Sequence, residues 1–312
     1  MYSVSQVKRG FKNPKQILRE VNRLYYTNGR RYGYNRRGIN VFEEDWDNLI
    51  ILDACRFDTF AEIAAEIDLP GHLESRQSRG ACTMEFLRGN VDGQTLDDTV
   101  YVSGTTMMYR ESVFKDQLTV DFHDIVDVWE DSIDVGEWGI RPATMAAETR
   151  DVLDQYPNKR IVAHFIQPHI PFIGETADEY GDAIGNTIWR DCFDRSTDVS
   201  DDVIRRAYRE NAEIVVQEVK SLLAELPGKT VITADHGQYL GDRSFPIPIK
   251  EYGHPNGIYS DALVKVPWHV YTNGERREIV AEDTGGTYDQ RQTDDLDEKA
   301  RNHLQELGYL ES

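Results

Sequence analysis

Three short segments of this 312-residue chain collect the side chains able to do chemistry. Ile51-Leu52-Asp53-Ala54-Cys55-Arg56-Phe57-Asp58 is an apolar run that ends on a carboxylate. His164-Phe165-Ile166-Gln167-Pro168-His169-Ile170-Pro171-Phe172 sets two imidazoles among prolines. Thr233-Ala234-Asp235-His236-Gly237-Gln238 ends a further run on adjacent carboxylate and imidazole, and Gly253-His254-Pro255 follows it. Hard oxygen from Asp and borderline nitrogen from His together suit a divalent cation. A single Asp after a strand is ordinarily a turn or cap residue, and a single His a hydrogen-bonded structural one. Adjacent Asp235 and His236 followed by glycine point beyond both.

These segments need strand ends to hold them. Asn48 to Asp53 is a continuous apolar run ending on a charge, the pattern of a buried parallel strand. Further strands are expected at Val100–Ser103, Arg160–Ile166, Thr230–Asp235 and Pro267–Tyr271. Helices are expected over Thr59–Ile67, Thr83–Arg88, Pro142–Tyr156 with proline at its first position, and Asp201–Leu226 with its apolar stripe. Alternation of this kind predicts an α/β fold: a mainly parallel central sheet with helices on both faces, in a single domain. Ligands of such sheets gather beyond the carboxyl ends of the strands, where all three segments fall.

Composition narrows the setting. Acidic residues number 55 against 35 basic, a net charge of −20, and only ten of the basic residues are lysine. A folded chain so acidic and lysine-poor resembles halophilic proteins, whose self-repulsion is screened in concentrated salt. Bulk nucleic-acid binding is disfavoured by the sign. No run of about 18 apolar residues is present to span a bilayer, and no apolar stretch follows the basic N-terminus as in a secretory signal. Three cysteines (Cys55, Cys82, Cys192) form no CxxC pair, so a reducing, cytoplasmic location is expected. Charge divides the chain into a basic amphipathic arm (1–41), a catalytic domain (42–273) and an acidic tail (274–312) with a short helix around 292–307. The arm carries ten Lys or Arg and one acid (Glu20), net +9, which leaves −29 on the remainder. Ile17, Leu18, Val21, Leu24 and Tyr25 recur in it at helical spacing, as suits either an anionic membrane surface at the inner face or docking on the acidic body.

The order of these motifs resembles the alkaline phosphatase superfamily: an Asp-ending first strand, a small hydroxyl or thiol at a helix start, PHxPF, a TADHG strand end and a later GH. Within it the chain is similar to the sulfatase-like branch, near short halophilic-archaeal members with a LDACRFD motif. The resemblance covers most of 45–271, and TADHGQYLGD is its most specific piece. It implies a divalent metal ion (Mn, Mg, Ca or Zn) on Asp53, Asp235 and His236, with Thr83 as both ligand and nucleophile. Sulfatases proper use Cys-x-Pro-Ser-Arg to form formylglycine. Cys82-Thr83-Met84-Glu85-Phe86 lacks the proline and the Ser-Arg, so the role falls on Thr83, as in phosphotransferring branches, with Cys82 the alternative.

His169 and His254 are then assigned to substrate, holding ester oxygens or protonating the leaving group. A second metal, which needs an Asp-x-x-x-His motif, is the alternative use of them. Arg56 and Arg79 flank the centre and could neutralise a phosphoryl or sulfuryl group, or equally pair with surface acids. His164 and His269 read as core histidines. The expected activity is a metal-dependent hydrolase or transferase of phosphate or sulfate esters acting through a covalent threonine. Its substrate class would include glycan- or lipid-linked esters. The alternatives are a two-metal phosphodiesterase or phosphomutase, and a non-catalytic anion-binding module.

Overall fold

The computed structural model describes residues 14–29, 33–105, 107, 118–128 and 140–282. The helix expected around 292–307 lies outside them. A seven-stranded sheet forms the centre. It uses β1 (Asn48–Leu52), β2 (His72–Gln77), β3 (Gln94–Ser103), β4 (Val120–Asp127), β5 (Arg160–Phe165), β6 (Gly228–Thr233) and β9 (Lys265–Asn273), in the order β2-β9-β6-β1-β5-β3-β4. Pairings among β6, β1, β5, β3 and β4 are parallel, while β9 runs antiparallel to β6 and β2. A small ribbon pairs β7 (Tyr239–Arg243) with β8 (Lys250–Gly253).

The apolar run of β1 is buried at every position because both faces of the sheet are covered. Ile50 and Leu52 point into a core shared with α2 (Phe57–Glu66), α4 (Pro142–Gln155) and α7 (Asp201–Leu223). Leu49 and Ile51, one residue out of phase, point the other way against Phe42, Trp46 and α3 (Thr83–Asn90). Two short helices, α5 (Glu175–Tyr180) and α6 (Ile188–Asp194), build a third apolar cluster with the start of α7, and α8 (Asp261–Val264) leads into β9. The mainly parallel sheet with helices on both faces is therefore as expected. The strands β2, β4, β7 and β8 were not anticipated. In β2 the run HLESRQ shows mostly exposed positions at the sheet edge, so no apolar alternation marks it.

Both flanking segments of the body are tied to it over the described residues. Helix α1 (Pro14–Thr27) lies on the surface. Residues 33–41 pack beside the 78–81 loop: Asn35 N–H donates to Arg79 O at 2.6 Å, and Ile39 N–H to Gln77 O at 2.9 Å. After β9, Arg276 Nη2 reaches Asp47 Oδ1 at 3.0 Å and Arg277 Nη2 reaches Asp47 O at 2.8 Å.

Candidate metal centre and active site

Strand β1 ends at Leu52, and Asp53 is the next residue. Its N–H donates to Phe165 O at 3.0 Å, so the ladder to β5 fixes where the carboxylate starts. Ala54 then takes the left-handed conformation, φ +61°, a costly choice for a residue with a Cβ. Two contacts hold it there. Ala54 N–H donates to Asp235 Oδ1 at 3.0 Å, and the buried Tyr208 hydroxyl of α7 donates to Ala54 O at 2.7 Å. On the neighbouring strand, β6 ends at Thr233, and Asp235 and His236 follow. Asp235 Oδ1 also accepts from His236 N–H at 2.8 Å, which turns Oδ2 the other way, without a hydrogen bond.

The loop 78–82 brings Thr83 to this point as the first residue of α3. Gly80 is required there by close approach: a Cβ on it would sit 2.5 Å from Phe86 N. Ser78 Oγ accepts from Gly80 N–H at 3.0 Å and donates to Asp235 O, joining the loop to the strand end. Thr83 Oγ1 then lies 3.3 Å from His236 Nε2. That nitrogen is 3.3 Å from Asp235 Oδ2 and 3.5 Å from Asp53 Oδ1. All four side chains are fully buried. His236 Nδ1 is 2.8 Å from Gly237 O, an acceptor only, so Nδ1 carries the proton and Nε2 presents its lone pair to the oxygens.

Two buried carboxylates and an imidazole nitrogen lie within 4.8 Å of one another, a concentration of donor atoms that a protein core rarely holds unmatched. The donor set suits a divalent cation: two hard oxygens, one imidazole nitrogen, and a hydroxyl at the fourth corner. Among the described residues this is the one such cluster. The residues named from the sequence as ligands, Asp53, Thr83, Asp235 and His236, are the ones brought together.

His169 and His254 complete a group of imidazoles. The His254 ring lies 4.6 Å from the His236 ring and 5.0 Å from that of His169, centroid to centroid. His169 Nδ1 donates to Ile170 O at 2.8 Å and His254 Nδ1 donates to Gln238 Oε1 at 2.9 Å, so each turns Nε2 away as the acceptor nitrogen. Burial, with His236 nearby, pushes the His169 imidazole down to about 4 and His254 well below its ordinary value. Both are neutral at pH 7. A neutral His254 with its lone pair on Nε2 can give a proton only after taking one.

The arginines part company. Arg56 stands beside the site, but Asp58 at 2.6 Å and Asp242 at 2.9 Å already meet its charge, and Nη1 also donates to Gln238 O at 2.9 Å. Arg79 is engaged elsewhere. Its guanidinium points out of the site toward Gly38 O, Gly89 O and the face of Tyr34, because residues 33–41 cover that side of the loop. Cys82, the alternative nucleophile, is half-buried at the position before α3, and burial pushes its thiol up, with Glu85 adding to the shift, away from the reactive thiolate.

Three residues that the motifs did not single out hold the site in place. Asn211 of α7, buried, donates to His169 O at 3.2 Å and Pro171 O at 3.0 Å and accepts from Ile173 N–H at 2.7 Å, pinning the His169 loop. Glu85 accepts from Ala81 N–H at 3.0 Å and from Gly257 N–H at 2.9 Å, tying the Thr83 loop to the His254 loop. Gln238 orients His254. Only Gln238 stood in a recognisable motif. His164, read as core, is buried as expected; Tyr101 OH lies 2.7 Å from its Nδ1, and its Nε2 is 4.0 Å from Asp235 Oδ2.

The class is thus an α/β chain with a cation cradle at the carboxyl edge of a mainly parallel sheet. Several solved structures resemble it. They include the C-terminal periplasmic domain of EcEptC from Escherichia coli in complex with Zn (16% identity, 75% of each chain, TM-score 0.48). A second is the integral membrane protein lipooligosaccharide phosphoethanolamine transferase A from Neisseria meningitidis (13% identity, 72% of this chain and 47% of that one, TM-score 0.48). A third is a protein in the alkaline phosphatase superfamily from Vibrio parahaemolyticus (9% identity, 83% of this chain and 71% of that one, TM-score 0.44). This chain spans about half the length of the membrane transferase. No protein-family model and no curated protein matches the chain.

Proposed function

We propose that this protein is a metal-dependent transferase or hydrolase of phosphate or sulfate esters that works through a covalent Thr83 intermediate. The observation that carries the reading is the buried convergence of Thr83 Oγ1, His236 Nε2, Asp235 Oδ2 and Asp53 Oδ1, with neighbouring distances of 3.3–3.5 Å. A divalent cation held by these four would supply the positive charge that makes a threonine alkoxide accessible near neutral pH. Thr83 opens α3, and the positive end of the helix dipole there favours an anion bonded to its Oγ1.

Thr83 Oγ1 forms the new bond to phosphorus or sulfur as its own proton passes to His254 Nε2, which hands it to the ester oxygen as the bond to that oxygen breaks. An acceptor hydroxyl, from water or an alcohol, then attacks the same centre. Its proton passes to His254 Nε2 and from there to Thr83 Oγ1 as the bond between that oxygen and the phosphorus or sulfur breaks. Gln238 keeps His254 in the tautomer that can receive that proton, and His169, fixed by Asn211, lines the same pocket. A glycan- or lipid-linked ester would suit the reading as well as a soluble one.

A panel of aryl phosphate, phosphodiester and sulfate esters, given with Mn, Zn, Mg or Ca, tests it. With a substrate that turns over, quenched protein should carry one phosphoryl or sulfuryl group on the peptide containing Thr83. Thr83→Ala should lose turnover by about 10⁴-fold or more while keeping fold and metal content. Cys82→Ser should stay within a few-fold of wild type. A modified Cys82 peptide, or loss of activity confined to Cys82→Ser, would transfer the role to the thiol.

A further inference from the structure

Helix α1 is inverted relative to an ordinary surface helix. Its polar residues Lys15, Arg19 and Asn22, with Tyr26, fall on one side at helical spacing, and that side faces the protein. Asn22 is fully buried: its Nδ2 donates to Ser244 Oγ at 2.8 Å and Ile247 O at 2.9 Å, and its Oδ1 accepts from Ile247 N–H at 2.8 Å. Arg19 Nε donates to the buried carboxylate of Glu251 at 2.9 Å and its guanidinium lies 3.6 Å from the centre of the Phe193 ring. Lys15 Nζ donates to Phe193 O. The body thus takes up the charged and amide groups of the helix.

The opposite side is left outside. Ile17 is 46% exposed, Val21 41%, Leu24 40% and Tyr25 53%. Phe245, 56% exposed, extends this strip from the β7–β8 connection, its ring 5.4 Å from that of Tyr25. Six large apolar side chains are exposed among the described residues, and five of them are these. Single exposed apolar residues are ordinary, but a contiguous strip is a contact surface.

We infer that this strip seats the protein on an anionic lipid bilayer surface, with the side chains of Ile17, Val21, Leu24, Tyr25 and Phe245 entering the headgroup boundary. Charge selects this occupant. Residues 42–312 carry net −29 and are repelled by anionic lipid, whereas cations bracket the strip in sequence: Lys8, Arg9 and Lys12 before it, Arg30 and Arg31 after it. The first thirteen residues, MYSVSQVKRGFKN, contain no acid and add Val4, Val7 and Phe11. A different side of the same helix lies next to the His254 loop: a Cβ on Gly257 would meet Arg23 Cγ at 2.8 Å and Thr27 Cγ2 at 3.5 Å. Membrane contact stands independently of the ester chemistry, since neither the strip nor its test uses the metal centre.

Flotation of the full chain with phosphatidylglycerol vesicles, and separately with phosphatidylcholine vesicles, tests the inference at about 0.15 M and about 1 M salt. Wild type should float with phosphatidylglycerol at both salts, because apolar insertion outlasts screening, and less with phosphatidylcholine. Val21→Glu/Leu24→Glu should lower partition by roughly 10-fold or more. Phe245→Ser, which lies off the helix and leaves its anchoring bonds intact, should lower it by a few-fold. Thermal midpoint and turnover of a small soluble ester should be unchanged in both variants. Failure to float at either salt overturns the inference, as does flotation abolished by 1 M salt. A concentration-dependent wild-type dimer that Val21→Glu/Leu24→Glu dissociates would also overturn it, assigning the strip to a second copy of the chain.

Discussion

The two ends of strand β1 each carry a buried aspartate, and they are met in opposite ways. At the amino end, Asp47 accepts from Lys229 N–H at 2.7 Å and is clasped by Arg276, whose Nη2 is 3.0 Å from Oδ1. At the carboxyl end, Asp53 and Asp235 converge on the imidazole of His236, 3.5 and 3.3 Å away. The first carboxylate is balanced by a guanidinium of its own chain. The second pair is arranged for a cation from outside. In a parallel sheet this division is expected: the amino edge serves stability and the carboxyl edge chemistry.

Substitutions at the carboxyl edge should act on turnover. His254→Ala should cost about 10²–10⁴ for an alkyl ester, where a proton must be moved. With an acidic phenol as leaving group the loss should be far smaller in the first half-reaction, measured as the burst of phenol release. Equal losses for both, with metal content unchanged, would leave His254 as a positioning residue. Gln238→Ala should reproduce part of the effect, because it removes the acceptor that holds the ring.

The two aspartates should differ in sign when the protein is stripped with chelator. Asp47→Asn should destabilise by about 1–3 kcal/mol, since Arg276 and the Lys229 amide lose a charged acceptor. Asp53→Asn should leave the metal-free protein as stable or more so, since it relieves repulsion with Asp235. Denaturant unfolding of the two variants checks this directly. Loss of stability in both would mean that the carboxyl-edge pair is a structural ion network.

Acid should bring a smaller effect. Burial holds His164 and His169 near about 4, against an ordinary value of 6.5. Between those values the unfolded chain binds protons that the folded chain does not, so stability falls as pH drops from 6.5 toward 4 and levels off below. A thermal-melt series in chelator should show a shallower fall for His169→Asn.

Much of this comparison was legible in the sequence, because a buried parallel strand announces itself as an apolar run and the polar residue ending it is placed by the fold. Asp53, Asp235 and His236 were found in that way. Thr83 was found from its place at a helix start and from the family resemblance. Glu85, Asn211 and Gln238 were not, because each acts on a loop that only the folded chain brings to it: Gly257, Pro171 and His254. The direction of Arg79 was not legible, because it depends on residues 33–41 covering the loop. The apolar stripe of α1 was visible, but spacing alone does not say which side of a helix faces the body, and here buried Asn22 and Arg19 decide it.

The most direct measurement is anomalous diffraction from crystals of the full chain soaked with Mn or Zn. A single strong peak should lie between Asp53 Oδ1, Asp235 Oδ2 and His236 Nε2, about 2.0–2.5 Å from each, with Thr83 Oγ1 within the same reach. A cation bound elsewhere, or none at a concentration that supports turnover, would contradict the assignment of this cluster as the metal centre.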